Sequence, residues 1–104
     1  MTEYTVKLWG PNQPGGKIHS YNTTTDDGFV AAAEALAHFR RLDEGPTITL
    51  DSHLEIDWHD VHRPESLFPV RSLLRYLTDS PEVLSGLEET DRSTLRGLAE
   101  ELGA

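Results

Sequence analysis

Cysteine is absent from the 104-residue chain. This absence excludes disulfides, zinc sites with thiolate ligands and enzymes that use a cysteine nucleophile. The chain also lacks any apolar run near the roughly 20 residues that a membrane-spanning helix needs. Met1-Thr2-Glu3 does not start the basic and then apolar pattern of a signal peptide. We therefore expect a cytoplasmic protein that does not enter a membrane.

Basic residues are scarce in this sequence. It has 9 Lys and Arg against 18 Asp and Glu, which gives a formal net charge of -9. Binding to nucleic acid depends on Lys and Arg that neutralise phosphates, so we expect no direct contact with nucleic acid. A charge of this sign favours a basic protein partner instead. The hydrophobic fraction of 37% is ordinary for a globular protein, and the length predicts one domain over residues 1–104.

No sequence motif identifies a reaction. The turn-rich stretch Gly10–Gly16 precedes Lys17, as a phosphate-binding loop would. However, Pro11 stands where that pattern needs glycine, and Ile18 stands where it needs serine or threonine. We interpret residues 10–16 as the long tip of a hairpin. Such a tip is either a binding loop or a plain connection.

Alternating apolar and polar residues predict two hairpins with a helix between them. The strands are predicted at Tyr4–Trp9, Lys17–Tyr21, Thr47–Leu50 and Leu54–Trp58. The helix is predicted over Asp26–Leu42. Thr25 is expected to cap it, and Asp26 and Asp27 favour the positive end of the helix dipole. The residues Asp43-Glu44-Gly45-Pro46 are expected to end it.

The C-terminal part of the chain is predicted to be helical. Pro69 can open a helix, Ser80-Pro81-Glu82 can start a short one that reaches about Leu87, and Gly103 suits a C-cap. Thr90 or Asp91 is expected to cap the last helix. The inner stripes are Val70, Leu73, Leu74 and Leu77 in the first helix, and Leu95, Leu98, Ala99 and Leu102 in the last. The fold class is therefore α+β: a small antiparallel sheet (ββαββ) with one covering helix and a C-terminal helical segment. One continuous sheet and two separate hairpins both fit.

The segment His53–His62 holds the densest group of titratable residues. On a strand, His53, Glu55, Asp57 and His59 would share one face and leave Leu54, Ile56 and Trp58 on the other. One hypothesis is a divalent metal site, such as zinc, with His53, His59 and His62 as ligands. Another is acid–base catalysis by His59 coupled to Asp57. A solvated polar strand face gives the same pattern.

Acidic residues are concentrated in the C-terminal segment. Carboxylates on a rigid helical surface can imitate the charge of a nucleic-acid backbone and occupy the basic groove of a nuclease or repressor. The residues that we expect to do this are Glu82, Glu88, Glu89 and Asp91. Small acidic inhibitors of phages and mobile elements act in this way as a class. Helix capping and a solvated helix face explain the same residues.

A second group of candidate binding residues lies on the strands. Glu55 and Asp57 add carboxylates, and Trp9 falls on the strand face opposite Tyr4, Val6 and Leu8. Trp9 and Tyr21 could form an aromatic patch at the hairpin edge, or the C-terminal helices could cover it. A homodimer through the sheet edge or the Trp9 face is also possible.

Together these patterns favour a non-enzymatic protein that binds a basic macromolecular partner, with no cofactor, as an inhibitor or antagonist. The alternative is a small enzyme that depends on a metal ion or on His/Asp acid–base chemistry at residues 53–62.

Overall fold

The computed structural model describes residues 2–9, 19–42, 47–58 and 66–103. Their strands are β1 (Thr2–Trp9), β2 (His19–Thr25), β3 (His53–Trp58) and β4 (Ser66–Pro69). Their helices are α1 (Gly28–Arg41), α2 (Val70–Asp79), α3 (Pro81–Leu84) and α4 (Glu89–Leu102). This order confirms the predicted α+β fold, with ββαββ followed by a helical segment.

The four strands form one continuous antiparallel sheet in the order β2-β1-β3-β4. The alternative with two separate hairpins is therefore wrong. β1 and β3 occupy the centre and pair in a register that sets Val6 opposite Ile56. Because side chains alternate along a strand, this register puts the apolar residues of both strands on the same face of the sheet.

The core lies between that face and α1. Its strand residues Tyr4, Val6, Leu8, Leu54 and Ile56 are all buried. α1 contacts three strands (β1, β2 and β3) and the other three helices (α2, α3 and α4), which explains why most of its residues are buried. The run Ala31-Ala32-Ala33 is fully buried, because small side chains let the helix approach its neighbours closely.

The predicted strand at Thr47–Leu50 is wrong, and the fourth strand is Ser66–Pro69. Hydrogen bonds of a turn replace those of a strand here. The hydroxyl of the buried Ser52 accepts the Thr49 N–H at 3.0 Å, and the carbonyl of Leu50 accepts the N–H of Arg71 at 3.3 Å. The segment is therefore tied to the start of α2, and the edge of β3 pairs with β4 instead.

Helix α1 begins and ends close to the predicted residues. Asp27 is its N-cap, and its carboxylate accepts the Phe29 N–H at 2.8 Å. Thr25 ends β2 instead of capping the helix. The helix ends at Arg41 with Leu42 as its C-cap, one residue before the predicted end, and Asp43-Glu44-Gly45-Pro46 lies outside the described residues.

The C-terminal helices differ from the prediction only at their ends. α2 starts directly after Pro69, and Gly103 is the C-cap of α4 with a φ of 75° that favours glycine. α3 stops at Leu84 rather than near Leu87. The N-cap of α4 is Glu88, not Thr90 or Asp91, which both lie in its first turn. In the ranges that the structure covers, we find no helix with the length and apolar character to cross a membrane.

Candidate functional site

The face of the sheet turned away from α1 holds the side chains that alternate with the core residues. We call it the open face, and its members are Glu3, Thr5, Lys7, Trp9, Ser20, Asn22, Thr24, His53, Glu55, Asp57, Leu67 and Pro69. Each of them is exposed or half-buried. The structure thus brings together four of the candidate residues on one surface: Trp9, His53, Glu55 and Asp57.

One row of the open face crosses all four strands. Ser20, Lys7, Glu55 and Leu67 are successive cross-strand neighbours in this row. The ammonium of Lys7 lies 3.7 Å from the carboxylate of Glu55, whose side chain is only 16% exposed. Glu55 is thus half-buried between Lys7 on one neighbouring strand and Leu67 on the other.

The neighbouring row holds Trp9, His53 and Pro69. Trp9 is 42% exposed and Leu67 is 60% exposed, and they stand on strands on either side of β3. Two other exposed large hydrophobic residues, Phe29 and Tyr76, stack on each other with ring centroids 4.4 Å apart. Trp9 and Leu67 have no such contact in the described part of the chain, so they are available to a partner.

The predicted aromatic patch of Trp9 and Tyr21 is wrong. Tyr21 pairs with Val6 and therefore points to the core face, whereas Trp9 points to the open face. The ring of Tyr21 packs against His38 of α1, with centroids 4.7 Å apart. Partial burial raises the pKa of the Tyr21 hydroxyl, and the carboxylate of Glu34 adds to the effect. The exposure of Trp9 also contradicts the alternative, in which the C-terminal helices would cover it.

Carboxylates outnumber cations on the open face. Asp57 lies opposite Thr5, whose hydroxyl donates a hydrogen bond of 2.7 Å to Asn22. Glu3 and Asp57 form no ion pair with any residue in the described ranges. Three carboxylates therefore face one lysine on this surface, and Lys7 is already paired with Glu55.

Among the described residues, no metal site forms around His53. His53 and Asp57 share the open face, as predicted, but they are four positions apart along the strand, which separates them by about 13 Å. One ion cannot bind both, because its ligands lie about 2 Å from it. No group of three potential ligands occurs in the described residues. His59, Asp60 and His62, and the loop at residues 10–16, lie outside them.

The acidic residues of the C-terminal segment divide into two kinds. Glu89 binds Arg92 at 2.7 Å, and Asp91 binds Arg41 of α1 at 2.6 Å with only 14% of its side chain exposed. Arg92 lowers the pKa of the exposed Glu89 carboxyl through a hydrogen bond. Glu82 and Glu88 are exposed and, among the described residues, lack an ion pair. Half of this predicted acidic surface is therefore neutralised within the protein.

Sequence reasoning missed Leu67 as a surface residue. It lies between Pro64 and Pro69, and those prolines favour a connection followed by a helix start over a strand. The alternation of Leu67 with Phe68 was the available signal, since only Phe68 packs against the core.

The chain matches no protein-family model, no curated protein and no solved structure. Its function must therefore be argued from its own geometry.

Proposed function

We propose that the protein is a non-enzymatic binding protein whose open face docks on a basic surface of another protein. The observation that carries the proposal is the presence of Trp9 and Leu67, both exposed, beside the half-buried carboxylates Glu55 and Asp57. Exposed aromatic and aliphatic side chains anchor protein interfaces, and surrounding charges select the partner.

Electrostatics favour a basic partner. The chain carries a formal net charge of -9, and Glu3, Glu55 and Asp57 place three of its carboxylates on the open face. Basic surfaces are typical of proteins that handle nucleic acid. Blocking such a surface would make this protein an inhibitor or antagonist, and its association would be fast and sensitive to salt.

The helical carboxylates are a competing binding surface for the same kind of partner. Glu82 and Glu88 are its unpaired members, whereas Glu89 and Asp91 already bind arginines of this chain. A partner would have to break those pairs to use all four. The open face demands less rearrangement, and for that reason we prefer it.

The test is affinity capture from a lysate of the source cell or its host, read by mass spectrometry. We expect the wild type to retain a basic protein in stoichiometric amount at low salt and to lose it at about 0.5 M salt. Trp9→Ala should lose it at low salt, and so should the double variant Glu55→Gln with Asp57→Asn. The double variant Glu82→Gln with Glu88→Gln removes the same charge from the other surface and is the matched control.

Retention by both open-face variants, with loss by the helical control, would transfer the proposal to the α3–α4 surface. Retention by all variants would contradict both surfaces. The molar mass of the purified protein, measured by light scattering, tests whether it forms a homodimer. A wild-type dimer that Trp9→Ala converts to a monomer would show that a second copy occupies the open face.

A further inference from the structure

A groove between α2 and α4 has the opposite character to the open face. It consists of two recesses that share Thr78, one of about 70 Å³ and one of about 410 Å³. The smaller is lined by Leu74, Leu77, Thr78, Arg92, Leu95, Arg96 and Ala99. The larger is lined by Leu50, Arg71, Arg75, Thr78, Asp79 and Gly103. We call these residues together the α2–α4 groove.

Arginine is concentrated in this groove. Four of the seven Lys and Arg residues in the described ranges line it: Arg71, Arg75, Arg92 and Arg96. They come as one pair spaced i, i+4 on each helix, so each pair projects from the same face of its helix. In a chain with a net charge of -9, this is a local reversal of sign.

The arginines differ in how firmly they are held. Glu89 binds Arg92 at 2.7 Å and lies 4.0 Å from Arg96, and Asp51 binds Arg71 at 3.0 Å. Both carboxylates are mostly exposed, at 70% and 77% of their side chains. Arg75 forms no ion pair with any described residue. Exposed pairs of this kind exchange readily with a partner's carboxylates, because solvent makes each of them weak.

The floor of the groove is apolar. Leu74, Leu77 and Leu95 of the core form the floor of the smaller recess, with the half-buried Ala99 beside them, and the half-buried Leu50 lines the larger recess. An apolar floor with arginine at its edges fits a ligand that has both apolar and acidic side chains. The ten residues of α2 make the groove about 15 Å long, which matches two to three turns of a helix.

We propose that the α2–α4 groove binds an acidic amphipathic helix of another protein, with its apolar stripe on the leucines and its carboxylates on the arginines. Guanidinium groups form two parallel hydrogen bonds to a carboxylate, which suits this pairing. A nucleic acid fits less well, because its phosphate backbone offers no apolar side chains to cover Leu74, Leu77 and Leu95. The inference does not depend on the open face.

Fluorescence anisotropy with labelled peptides tests the proposal. The probe is a helical peptide of about 18 residues, long enough to form several turns, with leucines spaced i, i+3, i+4 and i+7 and glutamates beside them. The control peptide carries glutamine in place of every glutamate. We expect saturable binding of the acidic peptide that weakens with salt, and binding of the glutamine peptide that is at least about tenfold weaker.

Protein variants assign the site. Arg75→Gln with Arg96→Gln should weaken binding of the acidic peptide by about tenfold or more, because both arginines contact its carboxylates. Lys7→Gln with Arg40→Gln removes the same charge elsewhere and should leave the affinity within about twofold. Circular dichroism checks that all variants are folded. Since Arg75 and Arg96 are exposed, we expect their unfolding midpoints to stay close to that of the wild type.

Three results would overturn the proposal. The first is the absence of saturable binding up to about 1 mM peptide, because weaker binding would not indicate a specific site. The second is equal loss in the two double variants, which would mean a general charge effect. The third is a short DNA duplex that binds in an Arg75- and Arg96-dependent way while the peptide does not, which would assign the groove to nucleic acid.

Discussion

The open face and the α2–α4 groove are two surfaces of one small protein with opposite designs. The open face is a flat sheet surface where carboxylates surround exposed Trp9 and Leu67. The groove is concave, and arginines surround leucines that belong to the core. An acidic chain therefore does not present one uniform acidic surface. The position of a few paired charges decides what each side can bind.

The two surfaces also differ in what their apolar residues do for the fold. Leu67 is 60% exposed and leaves the core nearly intact if removed, whereas Leu95 of the groove is 3% exposed. A surface whose apolar residues lie outside the core, such as Leu67, can be substituted with little loss of stability. A surface whose floor is the core cannot be changed without cost to stability, and this difference can be measured.

The largest expected effect is that of Leu95→Ala. Removing a buried leucine side chain leaves a cavity and should lower the free energy of unfolding by about 2–5 kcal/mol. Leu67→Ala is the matched control and should change it by less than about 0.5 kcal/mol. Urea titrations followed by circular dichroism compare the two variants. A similar loss of unfolding free energy in both variants would contradict the distinction between apolar residues outside the core and those within it.

Ser52→Ala should have an intermediate effect that is confined mainly to one end of the groove. The side-chain hydroxyl of Ser52 accepts a hydrogen bond from the Thr49 N–H. The backbone carbonyl of Ser52 accepts one from the Val70 N–H at 2.7 Å. Loss of the hydroxyl leaves the Thr49 N–H without this acceptor and should cost about 1–2 kcal/mol. Amide hydrogen exchange should speed up first at Val70 and Arg71. Equal acceleration in the central strands would show that the serine supports the whole fold instead.

The smallest effect concerns Glu89, which restrains two arginines of the groove. Arg92 lowers the pKa of this carboxyl below its ordinary value of 4.5, so the charged form is favoured in the folded state. The resulting stabilisation is present above the unfolded-state pKa and is lost as the pH falls through the folded-state pKa. Glu89→Gln should therefore lower the Tm slightly at pH 7, and wild type and variant should converge in acid. A gap that persists at low pH would show that charge is not its cause.

The local signals of the sequence predicted much of the fold. Alternation found β1 and β3, the buried stripes found α1, α2 and α4, and Gly103 marked a helix end. These features depend on residues close together in the chain. The prediction of the fourth strand was wrong because Ser66–Pro69 is short and becomes a strand only by pairing with the edge of β3. Thr47–Leu50 has the better strand pattern, but its backbone bonds to Ser52 and to α2.

The site could be predicted only in part for the same reason. Alternation placed Glu55 and Asp57 on one strand face, but only the register of β1 with β3 sets Trp9 beside His53. The sequence could not show that Asp91 binds Arg41, because 50 residues separate them in the chain. The arginine pairs of α2 and α4 were visible as i, i+4 spacings. Their meeting in one groove follows from tertiary packing alone.

The central position of β1 has a consequence for synthesis of the chain. β1 is translated before the other strands, yet one of its two neighbours, β3, begins only at His53. Until the ribosome has delivered β3, β1 can pair only with β2, and its other edge keeps its backbone groups unpaired. The incomplete sheet of the nascent chain is therefore prone to pair with other chains and to aggregate. The centre of the finished sheet therefore cannot close until β3 has been translated, and the ribosome sets that time.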